Sequence, residues 1–358
     1  MTTGALKYAS PFIIYLGSLL SFTGHGFVIW IPVIYAWIVI PVSELFLKPN
    51  PRNMSTAEEE FAVRDKTYDI FLYLAVVFQF VALYIFLHGI KYDSLTWIEI
   101  IGRVWVMGLL CGTFGINIGH ELGHRISKPE QTMAKMLLLS SLYMHFFIEH
   151  NKGHHKRVAT PEDPGSARFG ESVYSFYVRS IILSYFSAWK IANQDTIKKR
   201  RPVISFFNEM IQFHLIQGAF ILIIFFVFGW FPALCFLVAA LTGILLLETV
   251  NYIEHYGLQR KSLGEGKYER AMPAHSWNSD HMIGRLMLFE LSRHSDHHYL
   301  ASRKYQVLRH HDDSPQMPTG YPGMMILSLF PPAWFHVMDS RIKKMETRQV
   351  TYSLQSCN

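Results

Sequence analysis

The chain has 358 residues and a formal net charge of +6; half of its residues are hydrophobic, 15% are aromatic and only 17% are charged. A soluble globular domain carries about 25% charged residues, so the composition excludes that class and points to a polytopic membrane protein. The basic excess reads as membrane topology and not as nucleic-acid affinity, because no RNA- or DNA-binding motif accompanies it.

Met1 to Lys7 followed by an apolar run looks superficially like a signal peptide, but a second apolar run follows at once, so the first is read as a retained span. Six runs approach or exceed the roughly 20 apolar residues a helix needs to cross a bilayer. They lie at about 8–24, 26–46, 68–88, 98–119, 211–230 and 232–253. Tight uncharged tips join the first pair at Gly24-His25-Gly26 and the last pair at Gly229-Trp230-Phe231-Pro232. The short stretch 89–97 joins the third and fourth. With the N-terminus inside, all of the 33 Lys and Arg except Lys91 and Arg103 fall in inside segments. The positive-inside rule therefore predicts six spans with both termini cytoplasmic.

Between spans four and five, Met133 to Ile148 is apolar but short and reads as a buried or interfacial helix. Val158 to Gly165 is a loop by its Pro and Gly content. After span six come a Gly/Lys-rich loop at 262–270, a helical segment from about 277 to 300, and an interfacial apolar stretch at 322–337. No internal repeat or separate soluble domain is visible, so residues 1–358 read as one integral-membrane domain of all-α class. The basic run Lys198-Lys199-Arg200-Arg201 reads as a membrane-surface anchor or, with Arg303-Lys304, as a docking patch for an acidic donor.

Nine of the 18 histidines gather in four clusters: HELGH (His120, His124), HNKGHH (His150, His154, His155), NYIEHYG (His255) and RHSDHH (His294, His297, His298). In the predicted topology all nine lie at or beyond the cytoplasmic ends of spans. Residues four apart on a helix share a face, so His120/His124 and His150/His154 suit one ion each. Adjacent histidines diverge by about 100° and suit two ions. Nine donors divide plausibly as four plus five over two ions, with the assignment open. A lone histidine such as His255 is ordinarily a hydrogen-bonded interfacial residue. Adjacent pairs are harder to explain by packing, and ionisable groups this close to a membrane core are expensive and usually functional. Glu121, Glu149, Glu254 and Asp296, each beside a cluster histidine, are candidates to orient the rings; His275 and His281 are weaker ones. His310-His311 reads as a solvated loop. His25, His88, His145, His214 and His336 stand alone and read as structural.

Imidazole suits iron, zinc, copper or nickel alike. HELGH also fits the zinc-protease pattern, with Glu121 as general base, but that reading leaves seven clustered histidines without a role. Cys111, Cys235 and Cys357 form no Cys-x-x-Cys pair, so electrons for redox chemistry must come from another protein.

Taken together, HELGH, EHNKGHH followed by VATPEDP, NYIEHYGL and LSRHSDHH resemble the membrane-bound alkane 1-monooxygenases (alkane hydroxylases). The resemblance extends through HSWNSDH, Tyr305 to Arg309 and MPTGYPG (317–323), covering about 98–338. NYIEHYG sets it apart from the fatty-acid desaturases. The xylene-methyl hydroxylases are similar but depart from EHNKGHH. The resemblance implies a histidine-rich cytoplasmic cap holding two iron ions, which use O2 and two electrons to hydroxylate the terminal carbon of a linear alkane. It also implies rubredoxin and rubredoxin reductase as donors, not fused to this chain, and a bacterial inner-membrane location. Ser292 stands where relatives often carry Gln. Related di-iron oxidations, xylene-type hydroxylation or desaturation, remain the alternative. Alkanes partition into bilayers, so an apolar channel among the spans is expected; Tyr35, Trp37, Phe71, Phe80 and Trp105 are candidate lining residues, although each taken singly reads more readily as helix packing or lipid contact.

Overall fold

The computed structural model describes residues 3–355; Cys357 lies outside them. Six helices are long and apolar enough to cross a membrane: α1 (Gly4–Thr23), α2 (Gly26–Phe46), α4 (Thr67–Tyr92), α5 (Trp97–Gly123), α9 (Glu209–Phe228) and α10 (Trp230–His255). They match the six spans read from the sequence, and the chain is an integral membrane protein. A short α3 (Thr56–Arg64) precedes α4. Helix starts follow their caps. Ser55 and Glu58 form a reciprocal capping box at α3, as Thr96 and Glu99 do at α5, each satisfying two otherwise orphaned amides. The tip between α9 and α10 turns on Gly229 at φ 99°, which favours glycine.

Helices α5 and α10 pack closely, and this pairing organises the site. A Cβ on Gly243 would lie 2.5 Å from the Cys111 Cβ, and one on Gly108 would lie 2.6 Å from the Thr242 Cβ. Small residues let membrane helices approach in this way. At the opposite end of the spans, fully buried Arg103 bonds Asp93 at 2.7 Å and the Gly24 carbonyl at 2.9 Å. That guanidinium ties the α1–α2 tip to the α4–α5 loop. It also explains how the one arginine inside a span is tolerated.

The extramembrane part departs from the sequence reading in detail. Met133 to Ile148 is two helices, α6 (Lys128–Leu139) and α7 (Phe146–Glu149). Leu142 adopts φ 52°, and the Ser141 hydroxyl donates to the Cys111 carbonyl at 3.0 Å, holding the intervening turn against α5. A 26-residue helix, α8 (Val173–Lys198), follows, which the sequence reading missed. The 262–270 loop contains a small antiparallel pair, β1 (Ser262–Gly264) and β2 (Lys267–Tyr268).

The expected helix at 277–300 is broken into α11 (Met282–Met287) and α12 (His294–Tyr299). Trp277 and Asn278 are extended, their amides donating to Glu254 and Pro315 carbonyls at 2.8 Å, and Phe289 and Glu290 both take positive φ. The 322–337 stretch splits into α13 (Tyr321–Ser328) and α14 (Pro331–Gln355); Pro331-Pro332 disfavour helical geometry in the residue before them. His310 and His311 are not a solvated pair. They bond Asp280 at 2.6 Å and Asp296 at 2.7 Å and are partly buried.

Candidate metal centre

All nine cluster histidines converge at one end of the α5–α10 pair. Helix α5 carries His120 in its last turn with His124 just beyond its end, α10 ends in His255, and α12 carries His294, His297 and His298. Of the remaining three, His150 and His154 begin and end a π-helical turn that continues α7, and His155 follows it directly. The rings form two groups: His120, His124, His150, His155 and His297 in one, and His154, His255, His294 and His298 in the other.

Two adjacent pairs, His154/His155 and His297/His298, are each divided between the groups. His150 and His154 are divided as well, although four apart. A π turn advances its hydrogen bond by five residues instead of four, so His150 aligns with His155, and their Nε2 atoms are 2.9 Å apart. In the other group the ordinary helical spacing holds: His294 and His298 approach to 2.9 Å.

The spacing fits a cation. Nε2 atoms face one another at 2.9 Å (His120 to His297), 3.1 Å (His150 to His124), 3.2 Å (His294 to His255) and 3.3 Å (His154 to His298). Nitrogens held about 2.1 Å from one ion lie about 3.0 Å apart at right angles and about 3.4 Å apart in a tetrahedron. Burial, followed by the neighbouring rings, holds His124, His150, His294, His297 and His298 well below the usual imidazole value, and burial lowers His155 to about 3. These six rings are therefore neutral, with lone pairs available to a metal. This donor set is that of a metal centre.

The surrounding carboxylates divide by what they touch. Glu254, fully buried, places Oε2 3.1 Å from the His294 Nε2. Glu149 accepts from the His154 amide at 3.2 Å and pairs with Arg157. Glu121 bonds Arg125 at 2.6 Å and the Tyr305 amide at 3.3 Å. Asp296 is held by Arg303, His311 and the Arg309 amide. These last two brace the cap around the rings. His275 pairs with Glu269 and His281 with Ser279.

One residue of this kind escaped the sequence reading. Asp163, inside the VATPEDP loop, accepts from His154 Nδ1 at 2.8 Å and from the Ser166 hydroxyl at 2.6 Å. Burial opposes a charge on His154, yet Asp163 raises it above the usual imidazole value. A carboxylate on Nδ1 keeps the proton there and turns Nε2 toward its group. The available signal was an acid in a proline-bounded loop directly after HNKGHH.

An apolar cavity runs between the spans toward the rings. It is lined by Ile14, Trp37, Leu109, Thr113, Leu246 and Met325 among others. Asn117, Val250 and Leu291, at its wall, lie three to five residues before His120, His255 and His294. Of the five aromatic residues considered from the sequence, Trp37 lines this cavity. Tyr35, Phe71 and Phe80 pack against the core, and Trp105 is exposed on the outside of the helices.

Residues 95–328 match the family described as fatty acid desaturase, which gives the broad class. Within that class the chain is 39% identical over 319 residues to alkane 1-monooxygenase 2 of Pseudomonas aeruginosa, covering 88% of this chain and 84% of the relative. It is 39% identical over 323 residues to alkane 1-monooxygenase 2 of Alcanivorax borkumensis, covering 88% and 83%. The hydroxylase component of the Pseudomonas putida xylene/toluene monooxygenase is more distant, 26% identical over 238 residues, or 66% and 63% of the two chains. The chain belongs to the alkane 1-monooxygenase family, and it is a monooxygenase.

Proposed function

We propose that this protein hydroxylates the terminal carbon of linear alkanes, using O2 and two electrons delivered by rubredoxin and its reductase. The reading is carried by the convergence of nine imidazoles in groups of five and four at the end of an apolar cavity. The relatives named alkane 1-monooxygenase support it. Each group is proposed to hold one iron ion, with His120, His124, His150, His155 and His297 on one and His154, His255, His294 and His298 on the other. Two irons would supply the binding and reductive cleavage of O2, one oxygen atom entering the C–H bond and the other leaving as water.

The chain's own residues bind, aim and shield. Apolar walls from α1, α2, α5 and α10 hold an alkyl chain by burial, about 0.8 kcal/mol per CH2, a term too shallow to separate neighbouring chain lengths sharply. Thr113 and Asn117 bring the lining to the threshold of the rings, so a chain entering from the bilayer arrives methyl first. Asp163 fixes the His154 tautomer. We place the protein in a bacterial inner membrane with the histidines cytoplasmic, where the charge distribution puts them and where a soluble donor can reach them.

The test is conversion of a ladder of n-alkanes, and of xylene, by cells expressing the protein with a rubredoxin pair. The expected products are 1-alkanols, abolished in His150→Ala and His297→Ala. Alkenes, or benzyl alcohols alone, would move the protein to desaturation or to xylene-type hydroxylation. Metal analysis should give two irons per purified chain.

A further inference from the structure

Helix α8 has a face that the site does not use. Its inner face packs across two spans. Ser180 bonds Glu248 at 2.6 Å and Tyr177 bonds Thr249 at 2.6 Å, both on α10. Farther along, Tyr185 bonds His214 of α9 at 2.9 Å, Trp189 stacks on the same ring, and Asn193 accepts from Asn208 at the start of α9. The helix therefore runs sideways from α10 to α9. Glu248 is seven residues from the end of α10, and His214 is five residues into α9. At 1.5 Å per residue, α8 crosses the two spans roughly 8–10 Å inside their histidine-side ends and then rises to the start of α9 at Asn208. A 26-residue α10 is about 39 Å long against a hydrocarbon core of about 30 Å, so a crossing this near its end suits a helix lying in the interface.

The outward face agrees with that depth. Tyr174, Val178, Ile182 and Phe186 recur every fourth residue and are exposed, Phe186 by 62%. A helix face meeting water would be polar at these positions. The stripe adjoins the exposed apolar side of α9, which includes Leu215, Leu222 and Phe226. Where α8 ends, the chemistry changes abruptly. Lys198, Lys199, Arg200 and Arg201 are all exposed. Among the described residues the one carboxylate approach within this run is Lys198 to Asp195 at 3.9 Å. Immediately afterwards Ile204 and Phe206 are 90% and 76% exposed, and Arg201 lies over the Phe207 ring at 4.4 Å.

We infer that α8 and residues 198–207 form a binding site for anionic phospholipid in the leaflet on the histidine side. The apolar stripe and Ile204, Phe206 and Phe207 enter the acyl region, and the four cations take the headgroup phosphates. An acidic protein partner would explain the cations but not the large apolar side chains interleaved with them at membrane depth. Basic residues beside an anionic surface contribute about 1 kcal/mol each, roughly fivefold in partition. Four acting independently would give roughly several hundredfold and lipid exchange with the bulk headgroups offsets much of it, so neutralising all four should lower the preference for anionic lipid at least about tenfold.

The test uses the full chain in nanodiscs of mixed phosphatidylglycerol and phosphatidylcholine. Cys357 is replaced by serine; Cys111 and Cys235 are buried. Spin labels at Ile182→Cys and Phe206→Cys should be more accessible to O2 than to a water-soluble nickel complex. Native mass spectrometry should find phosphatidylglycerol retained about tenfold over phosphatidylcholine. That selectivity should vanish in the Lys198→Gln, Lys199→Gln, Arg200→Gln, Arg201→Gln variant, whose helix content and alkane turnover stay at the wild-type level. Nickel-accessible labels, equal retention of the two lipids by the wild type, or a quadruple variant that keeps its lipid selectivity while losing affinity for a purified rubredoxin would each overturn the inference.

Discussion

Asp163 shows how much rests on a residue outside the histidine clusters. It fixes one ring of nine, and loss of an outer carboxylate of this kind typically weakens metal binding 10–100-fold. Asp163→Asn should therefore release iron to a chelator at about 10–100-fold lower chelator concentration, while its helix content stays unchanged. Gly165 adds a steric constraint, because a Cβ there would lie 2.8 Å from His154 Nδ1. His145 offers a pH test away from the rings. Burial, and secondarily His214, lower its imidazole from 6.5 to about 4. As pH falls through 6.5 the unfolded chain takes up a proton there that the folded protein refuses. Stability is thus complete above 6.5 and is lost between 6.5 and 4, by about 3 kcal/mol in full. His145→Gln should flatten the melting temperature between neutral pH and about pH 4.5 relative to wild type. Identical pH profiles for the two would show that this ring is not the source.

At the scale of elements, the glycine seam between α5 and α10 positions three of the nine rings. A valine at Gly243 has no room against Cys111 and Gly112. Gly243→Val should destabilise by about 1–3 kcal/mol and lower iron content in the same preparation; a thermal melt and metal analysis read both. The spans were legible because an uninterrupted apolar run has one physical solution in a bilayer. The π turn at His150–His154 was not. Four-residue spacing on a regular helix puts His150 with His154, and nothing in the letters HNKGH announces the extra residue that pairs His150 with His155 instead. Helix α8 was hidden for a different reason. Its outward face is apolar like its inward face for three turns, which erases the amphipathic period that normally marks a helix. The breaks at 288–293 and 140–145 come from long-range hydrogen bonds, and local propensity carries no trace of them.

Over the whole molecule, the donors come from four stretches of chain that begin at His120 and finish at His298. No contiguous part holds a complete set for either group: the five need His297, and the four need His294 and His298. During synthesis all three membrane hairpins, α8 and the 262–268 hairpin must therefore emerge before either pocket can close, so metal capture belongs to the end of biogenesis. Chains truncated before residue 290 should insert into membranes yet retain no iron after washing, and full-length chains made without iron should take it up afterwards without reinsertion. On the proposed iron reading, the cell would stock the membrane with inert enzyme and let iron supply decide when it becomes active.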